Sequence, residues 1–255
     1  MIRFASLGSG SKGNGLVVQC RSTVVLVDCG FGPRECERRL HRLGVAPNSV
    51  SAVLVTHEHS DHLGGVVRFA TRHGCNVFAT HGTLAAGRVC EDGLVVERIS
   101  GEQAFVLGDL EVLPFSVPHD AREPVQYRFS DGVSMLGVLT DAGGLTPHIQ
   151  ETLAGCSALV LECNHDQDML ARGKYPPMLK RRIGGSHGHL SNDAAAELLQ
   201  RLPGLRLQHV VAAHLSQENN TPALARAALA GALSCSEEWI GVADQGEGFD
   251  WREVR

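Results

Sequence analysis

One short stretch of the chain concentrates side chains that can bind metal ions. Residues 53–65 read VLVTHEHSDHLGG, and within them residues 57–62 form the pattern H-x-H-x-D-H. Imidazole nitrogen is a good ligand for zinc, iron and copper, and a carboxylate can bridge two cations. Because the pattern directly follows an apolar run, it indicates a metal site more than a surface loop that happens to be rich in histidine.

The spacing inside this stretch indicates that it serves more than one metal ion. His57 and His59 are two residues apart, so an extended or tightly turned backbone points both side chains the same way. Asp61 and His62 come just beyond them, where a helix is expected to begin, and neighbouring residues in such a turn point in different directions. One pair can therefore serve one metal ion while the next pair serves a second.

The elements around this stretch predict an α/β fold with two packed sheets and helices outside them. Residues 50–56 form a continuous apolar run that is typical of a strand buried on both faces. We predict further strands at residues 2–7, 16–20, 23–27, 76–79, 158–163, 209–216, 237–244 and 248–254. Residues 95–139 are strand-rich, with a hairpin turn at 130–132.

Helices are predicted between these strands. The expected ranges are residues 35–43, 63–73, 83–89, 148–154, 191–202 and 221–233, with a further helical region that reaches residue 183. Ser191 or Asn192 is a suitable N-cap for the helix predicted over residues 191–202. Thr221 is a suitable N-cap for the helix predicted over residues 221–233, with Pro222 at its first position. No low-complexity linker divides the chain, so we expect one domain over residues 1–255.

The composition is that of an ordinary globular protein, with 43% hydrophobic and 20% charged residues in 255. The sequence has no apolar run of membrane-spanning length and no signal peptide at its start, so a cytoplasmic location is expected. None of the eight cysteines forms a C-x-x-C pair, and we expect them to be reduced and mostly buried.

Charge limits the partners that the chain can have. The net charge of −5 disfavours a protein that tracks a long nucleic-acid duplex electrostatically. Residues 172–189, however, hold five Lys and Arg residues and no acid. Such a local cationic segment can still bind phosphate groups.

The metal motif and many further strings resemble a known family. THEHSDHLGG is similar to the signature of the metallo-β-lactamase superfamily, whose fold is a four-layer αββα sandwich. Other strings extend the resemblance over nearly the whole chain and are similar to the WalJ/YycJ (VicX) group of that superfamily: SLGSGSKGNG, VDCGFG, VPHDAREPV, TDAGG, ECNHDQDML, GKYPPMLKRRI, HGHLSN and HLSQENN. This resemblance implies a cytosolic bacterial metal-dependent nuclease with 5′-to-3′ exonuclease activity on DNA.

The resemblance also implies the distant ligands of two divalent metal ions, which could be zinc, manganese or iron. The implied first site is His57, His59 and His119, and the implied second site is Asp61, His62 and His214, with Asp141 bridging the two. His119, Asp141 and His214 each follow an apolar run, as ligands at strand ends should. His81 competes for the place of His119, but its flanking residues do not match the family.

The catalytic roles are carried over in the same way. His189 is implied to contact the scissile phosphate and to protonate the leaving oxygen, and Asp61 is implied to orient the nucleophile while it binds metal. A metal-bridging hydroxide is the expected nucleophile. The alternative for His189 is a hydrogen-bonded histidine before the Ser191 cap.

Other residues have two interpretations each. Asn164 and His165 resemble wall residues that bind substrate, and a structural network is the alternative. Lys180 and Arg181 could hold a DNA strand, or they could simply lie on an exposed helical face. Asp28 is expected to orient the metal-binding histidines through a hydrogen bond, without binding the metal itself. The glycine-rich residues 8–15 could offer backbone N–H groups to phosphate or only form a tight hairpin.

The predicted reaction is hydrolysis of a phosphodiester at a 5′ end of single- or double-stranded DNA, by a protein that could be a homo-oligomer and needs no membrane. The main alternatives are other hydrolases of the same fold, such as a small cyclic phosphodiesterase or a glyoxalase-type thioesterase. A diiron redox protein would usually have glutamate where this chain has His59. A regulatory protein that only binds its ligand is the remaining alternative.

Overall fold

Two mixed β-sheets pack face to face in the computed structural model, which describes residues 1–89, 93–204 and 206–255. In the first sheet the strands lie in the order β14 (Phe249–Val254), β1 (Ile2–Gly8), β2 (Gly15–Cys20), β3 (Thr23–Val27), β4 (Ala52–Leu54), β5 (Asn76–Thr80) and β6 (Val96–Ile99). In the second sheet the order is β13 (Gly241–Val242), β12 (His209–Ala213), β11 (Ala158–Glu162), β10 (Met135–Leu139), β9 (Val125–Ser130), β8 (Leu110–Ser116) and β7 (Phe105–Leu107).

Each sheet changes from antiparallel to parallel pairing along its width. In the first sheet β14, β1, β2 and β3 pair antiparallel, and β3 to β6 pair parallel. In the second sheet β7 to β10 pair antiparallel, and β10 to β13 pair parallel. The central core between the sheets is apolar and includes the fully buried Phe4, Leu54 and Phe129.

Helices cover the outer faces of both sheets. Their bounds are α1 (Pro33–Arg42), α2 (Ser60–Leu63), α3 (Val66–His73), α4 (His81–Ala86), α5 (Pro147–Leu153), α6 (Gln167–Arg172), α7 (Pro177–Ile183), α8 (Asn192–Arg201) and α9 (Pro222–Leu233). Side chains of α1, α3 and α4 share an apolar core with the first sheet. Those of α5, α8 and α9 share one with the second sheet. The predicted four-layer αββα sandwich is therefore confirmed.

Local capping explains where the two long C-terminal helices begin. The Ser191 hydroxyl accepts a hydrogen bond from the Ala194 N–H, and the Thr221 hydroxyl accepts one from the Leu224 N–H. Pro222 occupies the first helical position, where its missing N–H has no partner to lose. These starts agree with those predicted from the sequence.

Several predicted bounds were wrong because of contacts that are distant in the sequence. The helix predicted over residues 63–73 is two helices, and the chain turns between them at Gly64 and Gly65. A Cβ on Gly65 would lie 1.8 Å from the carbonyl oxygen of Phe31, so only glycine allows this close approach. The strand predicted over 50–56 shortens to β4, because the Thr56 N–H donates to the Asp28 carboxylate.

Other bounds differ because the chain contains short irregular elements. The helix predicted over 83–89 begins at His81 instead, capped by the Thr80 hydroxyl. The strand predicted over 237–244 is a 3-10 turn, Glu237–Trp239, followed by the two-residue β13. The turn after β9 is the predicted hairpin, with Gly132 at a φ of 87°.

The described residues form no disulfide, and none of their helices could span a membrane. The seven described cysteines are free, and all but the half-buried Cys235 are buried, while Cys90 lies outside the described residues. No described helix has the length and apolar character needed to cross a membrane.

Candidate metal centre

One edge of the second sheet collects polar side chains at successive strand ends. Strands β10, β11 and β12 are parallel, so their carboxyl ends lie at the same edge, and β8 runs in the same direction. Asp141 follows β10, Glu162 ends β11, His214 follows β12 and His119 follows β8. The sheet register alone therefore brings these four residues to one place.

The turn after β4 faces this edge from the first sheet. His57 is fully buried, and His59 is the N-cap residue of α2 with a side chain that is 30% exposed. Asp61 lies in the first turn of α2, followed by the buried His62. The short α2 thus turns the last two side chains away from the direction taken by the first two.

Three histidines form a first cluster between the sheets. His57 Nε2 lies 3.0 Å from His59 Nδ1, which in turn lies 3.4 Å from His119 Nε2. In a tetrahedral site with metal–nitrogen bonds of about 2.0–2.1 Å, neighbouring nitrogens are about 3.3 Å apart. The three nitrogens therefore have the spacing of ligands around one cation.

A second cluster lies beside the first. His62 Nε2 is 3.5 Å from Asp61 Oδ2, and His214 Nε2 is 3.7 Å from the same oxygen. Asp141 Oδ2 lies 3.1 Å from His62 Nε2. Asp141 also groups with His57 and His62 within ligand distance, so this carboxylate lies between the two clusters.

The donor atoms fit divalent metal binding. Asp141 Oδ2 and His214 Nε2 are buried and have no hydrogen-bond partner in the structure. Burying an unpaired polar atom costs free energy, and native proteins rarely leave one without a partner. A cation between these atoms removes that cost, and neutral imidazole and carboxylate are ligands that zinc, manganese and iron accept.

Further groups hold the histidine rings in the orientation that metal binding needs. His62 Nδ1 lies 2.7 Å from Asp28 Oδ2, and the same carboxylate accepts hydrogen bonds from the Thr56 hydroxyl and N–H. His119 Nδ1 donates to the carbonyl oxygen of Gly188 at 2.9 Å. Because the Nδ1 side of each ring is fixed, Nε2 is left facing the cluster.

Asn14 is a supporting residue that the sequence did not suggest. Its amide nitrogen is 3.2 Å from Asp61 Oδ2 and 3.0 Å from His62 Nε2. Its amide oxygen accepts the N–H of Gly10, and the N–H of Gly13 donates to the Gly10 carbonyl. Because these two N–H groups are paired inside the loop, they favour the tight-hairpin interpretation of residues 8–15.

Glu162 is the second residue that sequence reasoning missed. This fully buried carboxylate lies 2.8 Å from His189 Nδ1 and 3.2 Å from His214 Nδ1, and it accepts the N–H groups of Ala142 and Leu190. The available signal was an acid at the end of the apolar strand that precedes Asn164. Glu162 therefore links His189 to the second cluster.

Burial and the crowding of charges shift the pKa values of these groups. Burial lowers the pKa of His57. Burial also opposes charge on His189 and His214, but the carboxylates of Glu162 and Asp141 outweigh it and raise their pKa values to about 10 and about 9. The pKa of Glu162 falls to about 2, because His189 outweighs the effect of burial.

Three residues of the site have left-handed backbones. Asp28, Asp141 and His214 have φ values of 60°, 52° and 54°, and each lies just after a strand. A non-glycine residue rarely adopts this conformation, and such strain is typical of functional sites. At each position the turn swings a polar side chain out of the sheet direction and into the site.

The structure divides the four predicted substrate-binding residues between two cavities that share His189. Asn164 lines a cavity of 190 Å³, and its amide donates to the carbonyl of His214. His165, Lys180 and Arg181 line the second, of 470 Å³. The exposed His81 begins α4 and belongs to neither metal cluster among the described residues.

Comparison with known proteins gives a family match and close relatives. The profile of the family described as "Beta-lactamase superfamily domain" matches residues 23–215. A Bacillus anthracis protein named exodeoxyribonuclease YycJ is 35% identical over 254 residues, which cover 98% of this chain and 94% of that protein. Exodeoxyribonuclease WalJ of Streptococcus pneumoniae is 31% identical over 248 residues, with coverage of 94% and 91%.

A solved structure has the same fold. The crystal structure of the metallo-β-lactamase fold protein YhfI from Bacillus subtilis superposes with a TM-score of 0.77 and covers 98% of each chain. The two sequences are 15% identical, so this likeness concerns the architecture.

Proposed function

Because the chain is a hydrolase of the metallo-β-lactamase superfamily and belongs to its WalJ/YycJ group, we propose that it removes nucleotides from the 5′ ends of DNA. The observation that carries this proposal is the Asp141 carboxylate, which lies between two ligand clusters and 3.3 Å from His189 Nδ1. A pair of cation sites with a proton donor beside them suits the hydrolysis of a phosphodiester. The names of the two relatives support DNA as the substrate.

In this proposal His57, His59 and His119 would hold one divalent cation, and Asp61, His62 and His214 would hold another. Asp141 would be shared between the two sites. The cations, which could be zinc, manganese or iron, would supply Lewis acidity that activates water and offsets charge on the phosphate. Ligands come from both sheets, so residues 1–255 act as one domain.

The chain's own residues supply orientation and proton transfer. The Asp61 carboxylate is 22% exposed and orients the attacking water at the mouth of the second cluster. His189 is held through Nδ1 by Glu162, which leaves Nε2 free to protonate the leaving oxygen. Burial opposes charge on His189, but the carboxylates of Glu162 and Asp141 raise its pKa, which favours the protonated ring that this role needs.

Residues around His189 bind the substrate. Lys180, Arg181 and His165 line one adjoining cavity, and their cationic and donor groups suit backbone phosphates. Asn164 lines the other cavity beside His189. An exonuclease needs only a few such contacts near the chain end, which is compatible with the net charge of −5.

The decisive experiment is digestion of 5′-phosphorylated single- and double-stranded oligonucleotides by purified protein with Mn²⁺ or Zn²⁺, with and without a chelator. Asp61→Ala and His189→Ala should each lose cleavage, and His189→Ala should keep its metal content. His187→Ala is the matched control, because this exposed histidine lies two residues from His189 and should cleave normally.

Other hydrolase reactions are tested in the same preparation. A small cyclic nucleotide and a glutathione thioester serve as substrates for the two rival activities. Turnover of either one without cleavage of DNA, or cleavage of DNA that a chelator does not affect, would overturn the proposed function.

A further inference from the structure

The 190 Å³ cavity beside His189 and His214 has one apolar wall, which we call the Tyr175 wall. It consists of Tyr175, Leu179 and Ile183. The rest of the lining is mostly polar, with Leu215 as a further apolar side chain, and it includes Asn164 and the two histidines. The cavity therefore joins a hydrocarbon surface directly to the group that is proposed to protonate the leaving oxygen.

The helix α7 carries Leu179 and Ile183, two of the three wall residues, and Tyr175 lies two residues before it. No residue of α7 is buried, although the helix contains Leu179 and Ile183. A short helix normally depends on the burial of an apolar face for its stability. Here that face lines a cavity, so the helix retains unused apolar surface beside the site.

Polar contacts hold α7 in place instead. The Arg182 Nε donates to Asp120 Oδ2 at 2.5 Å, and the Lys180 ammonium donates to the carbonyl of Ala171 at 2.7 Å. The next turn of chain packs tightly, since a Cβ on Gly188 would lie 2.1 Å from the Ile183 carbonyl oxygen. These contacts position Leu179 and Ile183, and Tyr175 lies two residues before the helix that they hold.

Tyr175 differs from the other tyrosine of the chain in its surroundings. The chain has two tyrosines. Tyr127 is fully buried and donates to the Val55 carbonyl, whereas Tyr175 is half-buried and lines the cavity. An aromatic ring at the surface of a cationic site is the usual platform for an unpaired nucleobase.

We propose that the Tyr175 wall stacks against one unpaired nucleobase next to the scissile phosphate. This inference rests on the proposed function and narrows its substrate class to DNA ends that are single-stranded or frayed. Stacking is tolerant of sequence, because every base has a π-face. A base within an intact duplex is already stacked on both sides and is not available to the wall.

Size and charge favour a base over other occupants. The cavity is smaller than the roughly 300–1,000 Å³ of pockets for drug-sized ligands, so it admits a part of one nucleotide. Arg182 is paired with Asp120 at the rim of the cavity, and because its side chain is 62% exposed its guanidinium can also reach the phosphate that accompanies the base. Neither feature suits a long acyl chain or a second protein.

The test compares wild type with Tyr175→Ala on three 5′-phosphorylated single strands. One strand is fully natural, and the others carry an abasic tetrahydrofuran residue at the first or the second nucleotide. On the natural strand Tyr175→Ala should lower kcat/KM by roughly 5- to 100-fold, mainly through KM, which is the range that stacking on one aromatic ring gives. On the strand whose abasic residue replaces the stacked base, the kcat/KM values of the two proteins should agree within about twofold. Without that base, Tyr175 has no stacking partner to lose.

Control variants separate stacking from a structural role. Tyr175→Phe and Tyr175→Trp keep an aromatic face and should retain near-wild-type kcat/KM. Met178→Ala alters a neighbouring side chain of α7 that is 77% exposed and lies outside the cavity lining, and it should change nothing. An equal loss for Tyr175→Ala on all three strands overturns the inference, as does an equal loss in Tyr175→Phe.

A binding readout does not depend on turnover. In the zinc-loaded His189→Ala protein, 2-aminopurine at the stacked position should lose fluorescence on binding, and adding Tyr175→Ala should restore it. Wild type should also prefer single strands to blunt duplexes, and Tyr175→Ala should reduce that preference. If wild type cleaves no DNA, the proposed function itself fails, whereas cleavage that is indifferent to Tyr175 refutes the stacking wall alone.

Discussion

The turn at residues 57–62 and the strand ends opposite it bring polar groups to the same point by different means. The turn holds three histidines and an aspartate within six consecutive residues, so the local backbone sets their directions. The second sheet places His119, Asp141 and His214 at the ends of three separate strands. Their meeting depends on the register of strand pairing in this sheet, which a change far from the site can alter.

The carboxylates that orient the histidines also differ between the two regions. Asp28, itself at a strand end, orients His62 in the turn. Glu162, at the end of β11, orients His214 at a neighbouring strand end and His189 in the loop before α8. In the turn one carboxylate, Asp28, orients one imidazole ring. At the second sheet one carboxylate, Glu162, orients two imidazole rings.

Removal of one ligand from each region gives the largest expected effect. His62→Ala and His214→Ala should each lower kcat at least about 10³-fold, and the double variant should lose little more, because residues that act as a unit are not additive. The measurement is kcat on 5′-phosphorylated DNA with metal content for each protein. His41→Ala, at an exposed position of α1, is the control. Losses that multiply in the double variant would show that the two regions work independently.

Exchange of the orienting carboxylates tests the division of support. Glu162→Gln and Asp28→Asn should each cost about 10- to 100-fold in metal affinity or activity, as is usual for groups behind metal ligands. Glu162→Gln should lower kcat more, since it releases His189 as well as His214. Metal titration and kcat distinguish the two losses, with the exposed Glu111→Gln as control. A larger loss of kcat in Asp28→Asn would contradict this comparison.

A side-chain hydrogen bond joins the two regions through the core. Tyr127, in β9 of the second sheet, donates to the carbonyl of Val55 at 2.7 Å, two residues before His57. Tyr127→Phe leaves that buried carbonyl without this donor and should lower the free energy of unfolding by about 1–3 kcal/mol. Chemical denaturation measures the change, and Tyr175→Phe, which alters a half-buried ring, should stay within about 0.5 kcal/mol of wild type. An unchanged midpoint in Tyr127→Phe would show that this link contributes nothing.

An ion pair remote from both regions gives the smallest expected effect. The hydrogen bond from Arg38, with further help from Arg39, lowers the pKa of Glu35 from its ordinary 4.5 to about 2. A depressed pKa stabilises the fold above pH 4.5, and this contribution disappears as the pH falls toward 2. Because the Glu35 side chain is 41% exposed, screening reduces the contribution to about 0.5 kcal/mol or less.

Glu35→Gln measures this remote contribution. The variant should be slightly less stable than wild type at pH 7 and equal to it near pH 2, when unfolding is followed by denaturant titration at each pH. A difference in stability between the two proteins that grows as the pH falls would contradict this prediction.

Much of the fold was predictable because its signals are local. The alternation of apolar runs with capped helices indicated two sheets with helices outside, and Thr221 with Pro222 marked the start of α9. The break at Gly65 was not predictable, since it depends on the Phe31 carbonyl across the turn. Bounds were wrong where a distant contact, such as that of Asp28 with Thr56, replaced a strand partner.

The candidate site divides in the same way. The turn could be identified from its own residue types, whereas the partners at the strand ends were proposed through the family resemblance. Asn14 and Glu162 carried no local signal strong enough, because their importance comes from groups that are remote in the chain. Asn164 and His165 line different cavities although they are adjacent in the chain, and the sequence alone does not reveal this separation.

The positive φ angles of Asp28, Asp141 and His214 set activity against thermal stability. Glycine adopts this backbone region without the steric strain that a Cβ brings. Asp141→Gly or His214→Gly should therefore relieve torsional strain while removing a proposed metal ligand. A laboratory search for heat-resistant variants would be drawn to these three positions first, and it would have to be screened for turnover at every round.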